Sequence, residues 1–110
     1  NIKILHKKEI PVAFGRTKDV STRNTMYCSL SIRDHKMPRG LKRSEYTEYK
    51  LIRIGIGYGL NGGYAIEKTF PIKDMENEIA FFTNLYNSIP NPATIEWLES
   101  KGFVQDWWRN

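Results

Sequence analysis

The chain contains little of the chemistry that disulfides and metal sites require. Its single cysteine, Cys28, excludes a disulfide within the chain and a thiolate cage of the structural zinc type. Its two histidines, His6 and His35, have no Asp, Glu, His or Cys partner at the spacing that metal ligands adopt on a helix or hairpin. We therefore predict neither a metal site nor any other cofactor.

Long apolar runs are also missing, because the longest extend over only a few residues and a membrane-spanning helix needs roughly 20. The first residues do not follow the basic-then-apolar order of a signal peptide. These patterns favour an intracellular, cytoplasmic protein that does not enter a membrane. A reducing compartment also suits a chain with one thiol.

The composition that is present is typical of a globular domain, with 40% of residues hydrophobic and 26% charged. A chain of 110 residues is close to the commonest size of a single domain. We therefore predict one domain over residues 1–110.

The net charge of +5 is distributed unevenly along the chain. Residues 1–56 contain 13 Lys and Arg against 5 Asp and Glu, whereas residues 57–110 contain 4 against 7. This asymmetry indicates that one face of the fold meets an anionic partner. The alternative is a basic surface that serves solubility alone.

Several segments alternate apolar and polar residues as strands with one buried face do. Between Met26 and Ile32 every second residue is apolar, and an Asn-Gly pair within residues 59–63 indicates a hairpin turn. Pro11 should confine the first strand to a sheet edge. The predicted strands cover residues 2–14, broken or turned by the polar residues 6–9, and residues 25–33, 46–58 and 64–70, with loops at 15–24 and 34–44.

From Asp74 the apolar period becomes helical. Asp74 is a candidate N-cap, and an apolar stripe runs from Met75 to Ile89. A second helix is predicted over residues 92–101, with Asn91 before it and Gly102 as its C-terminal cap. Strands followed by helices predict an α+β fold, with a four- to five-stranded antiparallel sheet and two helices packed on one face.

The buried core follows from these faces. Cys28 falls among the inward residues, so we interpret it as a small buried hydrophobe rather than a nucleophile. The predicted core residues are Met26, Cys28, Leu30, Ile32, Ile52, Ile54, Ile56, Ile66, Ile79, Phe82, Leu85 and Leu98.

No motif in the chain points to catalysis. Residues 57–62 match the G-x-G-x-x-G pattern, but a dinucleotide site needs a helix directly afterwards and residues 64–70 alternate like a strand. The pattern is better explained by a hairpin turn. The helical carboxylates are accounted for as solvent-facing residues, so we predict no catalytic residues and a protein that is not an enzyme.

Cations and aromatic residues together favour nucleic acid as the partner. The loop at residues 34–44 is the densest cationic segment, and tyrosines on two strands lie on the faces opposite the aliphatic residues. Several single-strand binders use such sheet faces to stack bases and hold phosphates. The alternative is that Tyr and Arg are simply common at exposed strand positions. The predicted residues for binding nucleic acid or a nucleoprotein complex are Tyr27, Arg33, Lys36, Arg39, Lys42, Arg43, Tyr49 and Arg53.

A second hypothesis is a small inhibitor of the virus-encoded, anti-defence kind, which docks on a larger host macromolecular machine. An excess of cations excludes DNA mimicry and would instead suit an acidic protein surface. Adjacent residues of a regular element face opposite ways, so one of Trp107 and Trp108 should be exposed. Trp108 with Arg109 is then the candidate partner anchor. The competing interpretation is that both indoles are structural. The oligomeric state stays open.

Overall fold

The sheet is built on an antiparallel meander of four long strands. The computed structural model describes residues 1–13, 23–36, 48–57 and 63–106. Within them, six strands form one sheet in the order β5-β1-β2-β3-β4-β6. The elements are β1 (Ile2–Ala13), β2 (Arg23–His35), β3 (Tyr49–Gly57), β4 (Gly63–Pro71), a 3-10 turn (Ile72–Asp74), α1 (Met75–Asn87), β5 (Ala93–Thr94), α2 (Ile95–Ser100) and β6 (Val104–Asp106).

The α+β class is confirmed, but the sheet is mixed and has more strands than predicted. β5 pairs in parallel with the end of β1 through Val12 and Ala93, and β6 pairs antiparallel with β4. β2 is longer at both ends than its alternation indicated. Residues 23 and 24 and residues 34 and 35, assigned to loops from sequence, belong to it.

β1 is one continuous strand, so the predicted break at residues 6–9 is wrong. β2 provides a partner for nearly every residue of β1, and the irregularity falls instead at Leu5, where the register shifts between Ile4 and His6. Such a bulge changes which face the following side chains take. The edge position inferred from Pro11 is met only in part: among the described strands Ile2–Pro11 pairs with β2 alone, but β5 lies outside β1 and pairs with Val12 and Ala13.

The core lies between the sheet and the two helices. Nine of the twelve predicted core residues are buried, whereas Ile66, Ile79 and Leu85 are partly buried and pack against the cluster. Both helices contribute to this cluster, α1 through Phe82 and α2 through Leu98. The members that the predicted core list did not contain are Ile10, Val12, Phe70, Tyr86, Ile89, Ala93 and Phe103.

α1 begins next to Asp74 as predicted, although the Asp74 side chain makes no capping hydrogen bond. Its last turn is held by β1: Lys8 Nζ donates to the Tyr86 carbonyl at 3.1 Å and lies 4.1 Å from the Tyr86 ring centroid. A cation is favourable there because helix carbonyls concentrate negative potential at the C-terminus. One cation of the basic half is thus structural.

α2 begins at Ile95, three residues later than predicted. Thr94, not Asn91, is the N-cap, and its Oγ1 accepts a hydrogen bond from the Trp97 amide at 3.1 Å. Pairing of β5 with β1 takes the preceding residues into the sheet. The C-terminal cap is confirmed: Gly102 has φ of 97°, and the amides of Gly102 and Phe103 donate to the carbonyls of Glu99 and Leu98. These bonds define a Schellman motif.

Three sequence predictions lie outside the described residues: most of the two loops, the turn at residues 59–62, and the positions of Trp107 and Trp108. Among the helices that are described, none is long and apolar enough to cross a membrane.

Candidate nucleic-acid interface

Strand register places the predicted sheet residues on one surface. In an antiparallel pair, directly opposed residues project to the same side of the sheet. Tyr27 is opposite Gly57, and His35 is opposite Tyr49. With Arg33 and Arg53, which share this alternation, these tyrosines lie on the sheet face opposite α1, called the outer face below.

The four residues are spread along the outer face. Tyr49 is a diagonal neighbour of Arg33, because Arg33 is opposite Leu51. Such diagonal pairs are about 7–8 Å apart. Tyr27 is six residues from Arg33 on β2, which at about 3.4 Å per residue is roughly 20 Å. The arrangement is elongated and suits an extended ligand.

Tyr27 is the most exposed aromatic ring on the described outer face, with 54% of its surface accessible. Lys7 on β1 places its Nζ 5.0 Å from the ring centroid. A cation over an aromatic face is attracted by the ring quadrupole. The sequence analysis did not select Lys7. Uninterrupted alternation from Ile2 would place Lys7 on the helix side of the sheet, whereas the bulge at Leu5 moves it onto the outer face.

The Arg53 guanidinium forms ion pairs with two carboxylates. It donates to Glu67 on β4 at 3.0 Å and to Asp106 on β6. Burial disfavours the charged form, but these two hydrogen bonds outweigh it and raise the pKa of Arg53 above its ordinary value. A phosphate would have to compete with both carboxylates, so Arg53 fits a structural tie between β3, β4 and β6 better than a ligand contact.

The outer face between Tyr27 and Arg53 is formed by residues with small side chains. Gly55 lies opposite Ser29 on one side and Ala65 on the other, and Ala65 is buried. A Cβ at Gly55 would meet Arg53 Nε at 3.4 Å, so the arginine side chain lies close along the strand. The small residues at this point therefore accommodate the Arg53 side chain against the sheet.

Where strand side chains are described, the charges of the outer face are balanced. Over strand residues 2–12, 25–35, 49–57, 63–71 and 104–106, Lys7, Arg33 and Arg53 are matched by three carboxylates, those of Glu9, Glu67 and Asp106, whose positions follow from strand register. Lys36 is exposed just beyond β2. The other predicted phosphate contacts, Arg39, Lys42 and Arg43, lie outside the described residues.

The histidines and the thiol show no catalytic arrangement in the described ranges. His6 stacks on Tyr86 with ring centroids 5.6 Å apart, on the helix side of the sheet. Cys28 is fully buried, and burial raises the pKa of its thiol to about 11, despite the opposing influence of Lys8. Residues 1–13, 23–36, 48–57 and 63–106 contain no cluster of three or more Asp, Glu, His or Cys able to hold a metal ion.

Comparisons with known proteins give no information on the function of this chain. No protein-family model matches the chain, and neither the curated proteins nor the solved structures gave a significant match.

Proposed function

We propose that this protein is a non-enzymatic module that binds single-stranded nucleic acid, alone or within a nucleoprotein complex, on its outer face. The observation that carries the proposal is the exposed Tyr27 ring with Lys7 beside it, on the same sheet face as Arg33 and Tyr49. Lys36 and the cationic residues 39, 42 and 43 extend the predicted phosphate contacts. Such a role belongs in a reducing, cytoplasmic compartment, where the Cys28 thiol stays free.

The chemistry of the face suits a single strand better than a duplex. An unstacked base has a free π-face, and stacking on an aromatic side chain contributes about 1–3 kcal/mol per base. Lys7 and Arg33 provide cations within one or two strand positions of the rings that would hold the bases. A duplex hides its base faces inside the stack and would leave Tyr27 without a partner.

The test is a fluorescence-anisotropy titration with labelled single-stranded RNA and DNA oligonucleotides at low salt. We expect Tyr27→Ala to weaken binding by about 5- to 150-fold, the equivalent of one lost stacking contact. Tyr27→Phe keeps the ring and should bind nearly as the parent does. Arg33→Ala and Lys7→Ala should each reduce the log-log salt slope by about 0.7.

Lys101→Ala is the matched control, because Lys101 is an exposed cation at the C-terminus of α2, on the helix side of the sheet. It should leave both affinity and salt slope unchanged. The absence of binding at micromolar protein, or equal losses for Lys101→Ala and Arg33→Ala, would remove the proposal.

The second candidate is the inhibitor that docks on a larger macromolecular machine, and the balanced charges of the outer face favour it. A surface on which three cations meet three carboxylates complements a mixed protein surface more readily than a row of phosphates. Pull-down from a nuclease-treated host lysate separates the two candidates. Partners that survive nuclease favour docking on protein, in which Trp108 and Arg109 remain the predicted anchor.

A further inference from the structure

Among the residues that the structure describes, one edge of the sheet is open along most of β1. β2 pairs with one side of β1 over its whole length, whereas β5 covers the other side only at Val12 and Ala13. Over Ile2–Pro11 the second side of β1 therefore faces no strand among the residues that the structure describes. Its backbone donors and acceptors are available to pair with a further strand.

The beginning of this edge is exposed on both sheet faces. Ile2 and Ile4 project to the outer face with 65% and 52% of their surfaces accessible, and Lys3 between them is exposed on the helix side. Large aliphatic side chains beside free backbone groups are what an added strand would cover.

The charge of β1 selects among possible occupants. The exposed or half-exposed stretch contains Lys3, Lys7 and Lys8 against Glu9 alone. A second copy of β1 placed alongside would bring lysines toward lysines, and lysine on an edge strand is a known device against such self-pairing. An acidic strand meets no such repulsion.

We propose that the open edge of β1 receives an extended segment of another protein by strand addition, and that this segment alternates apolar and acidic residues. Its apolar residues would lie beside Ile2 and Ile4 on the outer face, and its carboxylates would lie on the helix side, the first of them beside Lys3. Backbone pairing supplies affinity in this mode, and the alternating side chains supply specificity. The open edge is the side of β1 that faces away from β2 and Tyr27, so this proposal does not depend on nucleic-acid binding.

The probe is a capped peptide of about eight residues that alternates Val and Glu, a length usual for a strand. It is added to isotopically labelled protein and followed by amide chemical shifts and hydrogen exchange. We expect shifts confined to Ile2–Pro11 and their neighbours on β2, with slower exchange of β1 amides. A peptide alternating Val and Lys should bind more weakly.

A charge exchange tests the specificity without disturbing the core. Lys3→Glu, at an exposed position, should weaken binding of the Val-Glu peptide by about fivefold and strengthen binding of the Val-Lys peptide. Lys73→Glu introduces the same charge change away from β1 and should alter neither.

Three results would overturn the proposal. The first is no shift at about 1 mM peptide, the weakest affinity at which strand addition would matter. The second is a set of shifts centred on Tyr27 and Tyr49 instead of β1. The third is a concentration-dependent dimer, by sedimentation, that protects β1 without any peptide, since a second copy would then occupy the edge.

Discussion

Replacing Arg53 by Ala separates a structural arginine from a ligand-binding one. The guanidinium connects Glu67 and Asp106 and thereby ties three strands together on the outer face. We expect Arg53→Ala to lower the free energy of unfolding while nucleic-acid affinity changes by less than about twofold. Arg33→Ala, on the same face, should show the reverse pattern.

The size of the stability loss follows from the exposure of the ion pairs. The Arg53 side chain is 33% exposed, and those of Glu67 and Asp106 are 48% and 46% exposed. Solvent screening limits such partly exposed pairs to about 0.5 kcal/mol each. Their loss should therefore cost about 1 kcal/mol, or a fall in Tm of roughly 4 °C for a domain of this size.

The measurement is urea denaturation followed by tryptophan fluorescence, at low and at moderate salt. Added salt should shrink the difference between Arg53→Ala and the parent, because screening weakens the pairs in the parent. In a double-mutant cycle, Arg53→Ala and Asp106→Asn should show a coupling free energy of about 0.5 kcal/mol.

Two results would refute this reasoning. Additive effects of Arg53→Ala and Asp106→Asn would show that the pair contributes nothing to stability. Unchanged stability together with a loss of affinity as large as that of Arg33→Ala would make Arg53 a phosphate contact.

Two further predictions concern the helix side of the fold. Burial raises the pKa of Cys28 from its ordinary value of 9.0 to about 11, so its proton is retained in the folded chain and lost from the unfolded one over that range. The contribution of Cys28 should be intact below pH 9 and fall as the pH rises toward 11, by on the order of 2 kcal/mol, and in urea titrations Cys28→Ala should show a correspondingly shallower fall than the parent. Gly102→Ala should cost about 1–2 kcal/mol because φ of 97° is left-handed and a Cβ there would also meet Ile66 Cδ1 at 3.4 Å. Lys101→Ala is its control, and a loss below about 0.3 kcal/mol for Gly102→Ala would contradict the cap assignment.

Much of the central sheet and of α1 could be predicted from sequence because local periodicity encodes it. Alternation from Met26 to Ile32 and from Ile52 to Ile56 determines which side chains share the face that the helices cover. The same alternation was enough to place Tyr27 and Arg33 on the face away from the core. The cap at Gly102 could also be predicted from sequence, since few other residues adopt a left-handed backbone at a helix end.

The remaining features depend on contacts between distant parts of the chain. β5 and β6 have two and three residues, which are too few to show a period. They are strands only because their backbones pair with the edges of β1 and β4. The bulge at Leu5 is a mismatch between two strands and has no signature in either one alone.

The candidate site divides in the same way. By itself the sequence determined which strand residues face away from the core, because side-chain direction alternates along one chain. Only the tertiary structure decided that Lys7 stands by Tyr27, and that Arg53 is bound by Asp106, 53 residues away. Those pairings follow from the order and register of strands, which local pattern does not contain.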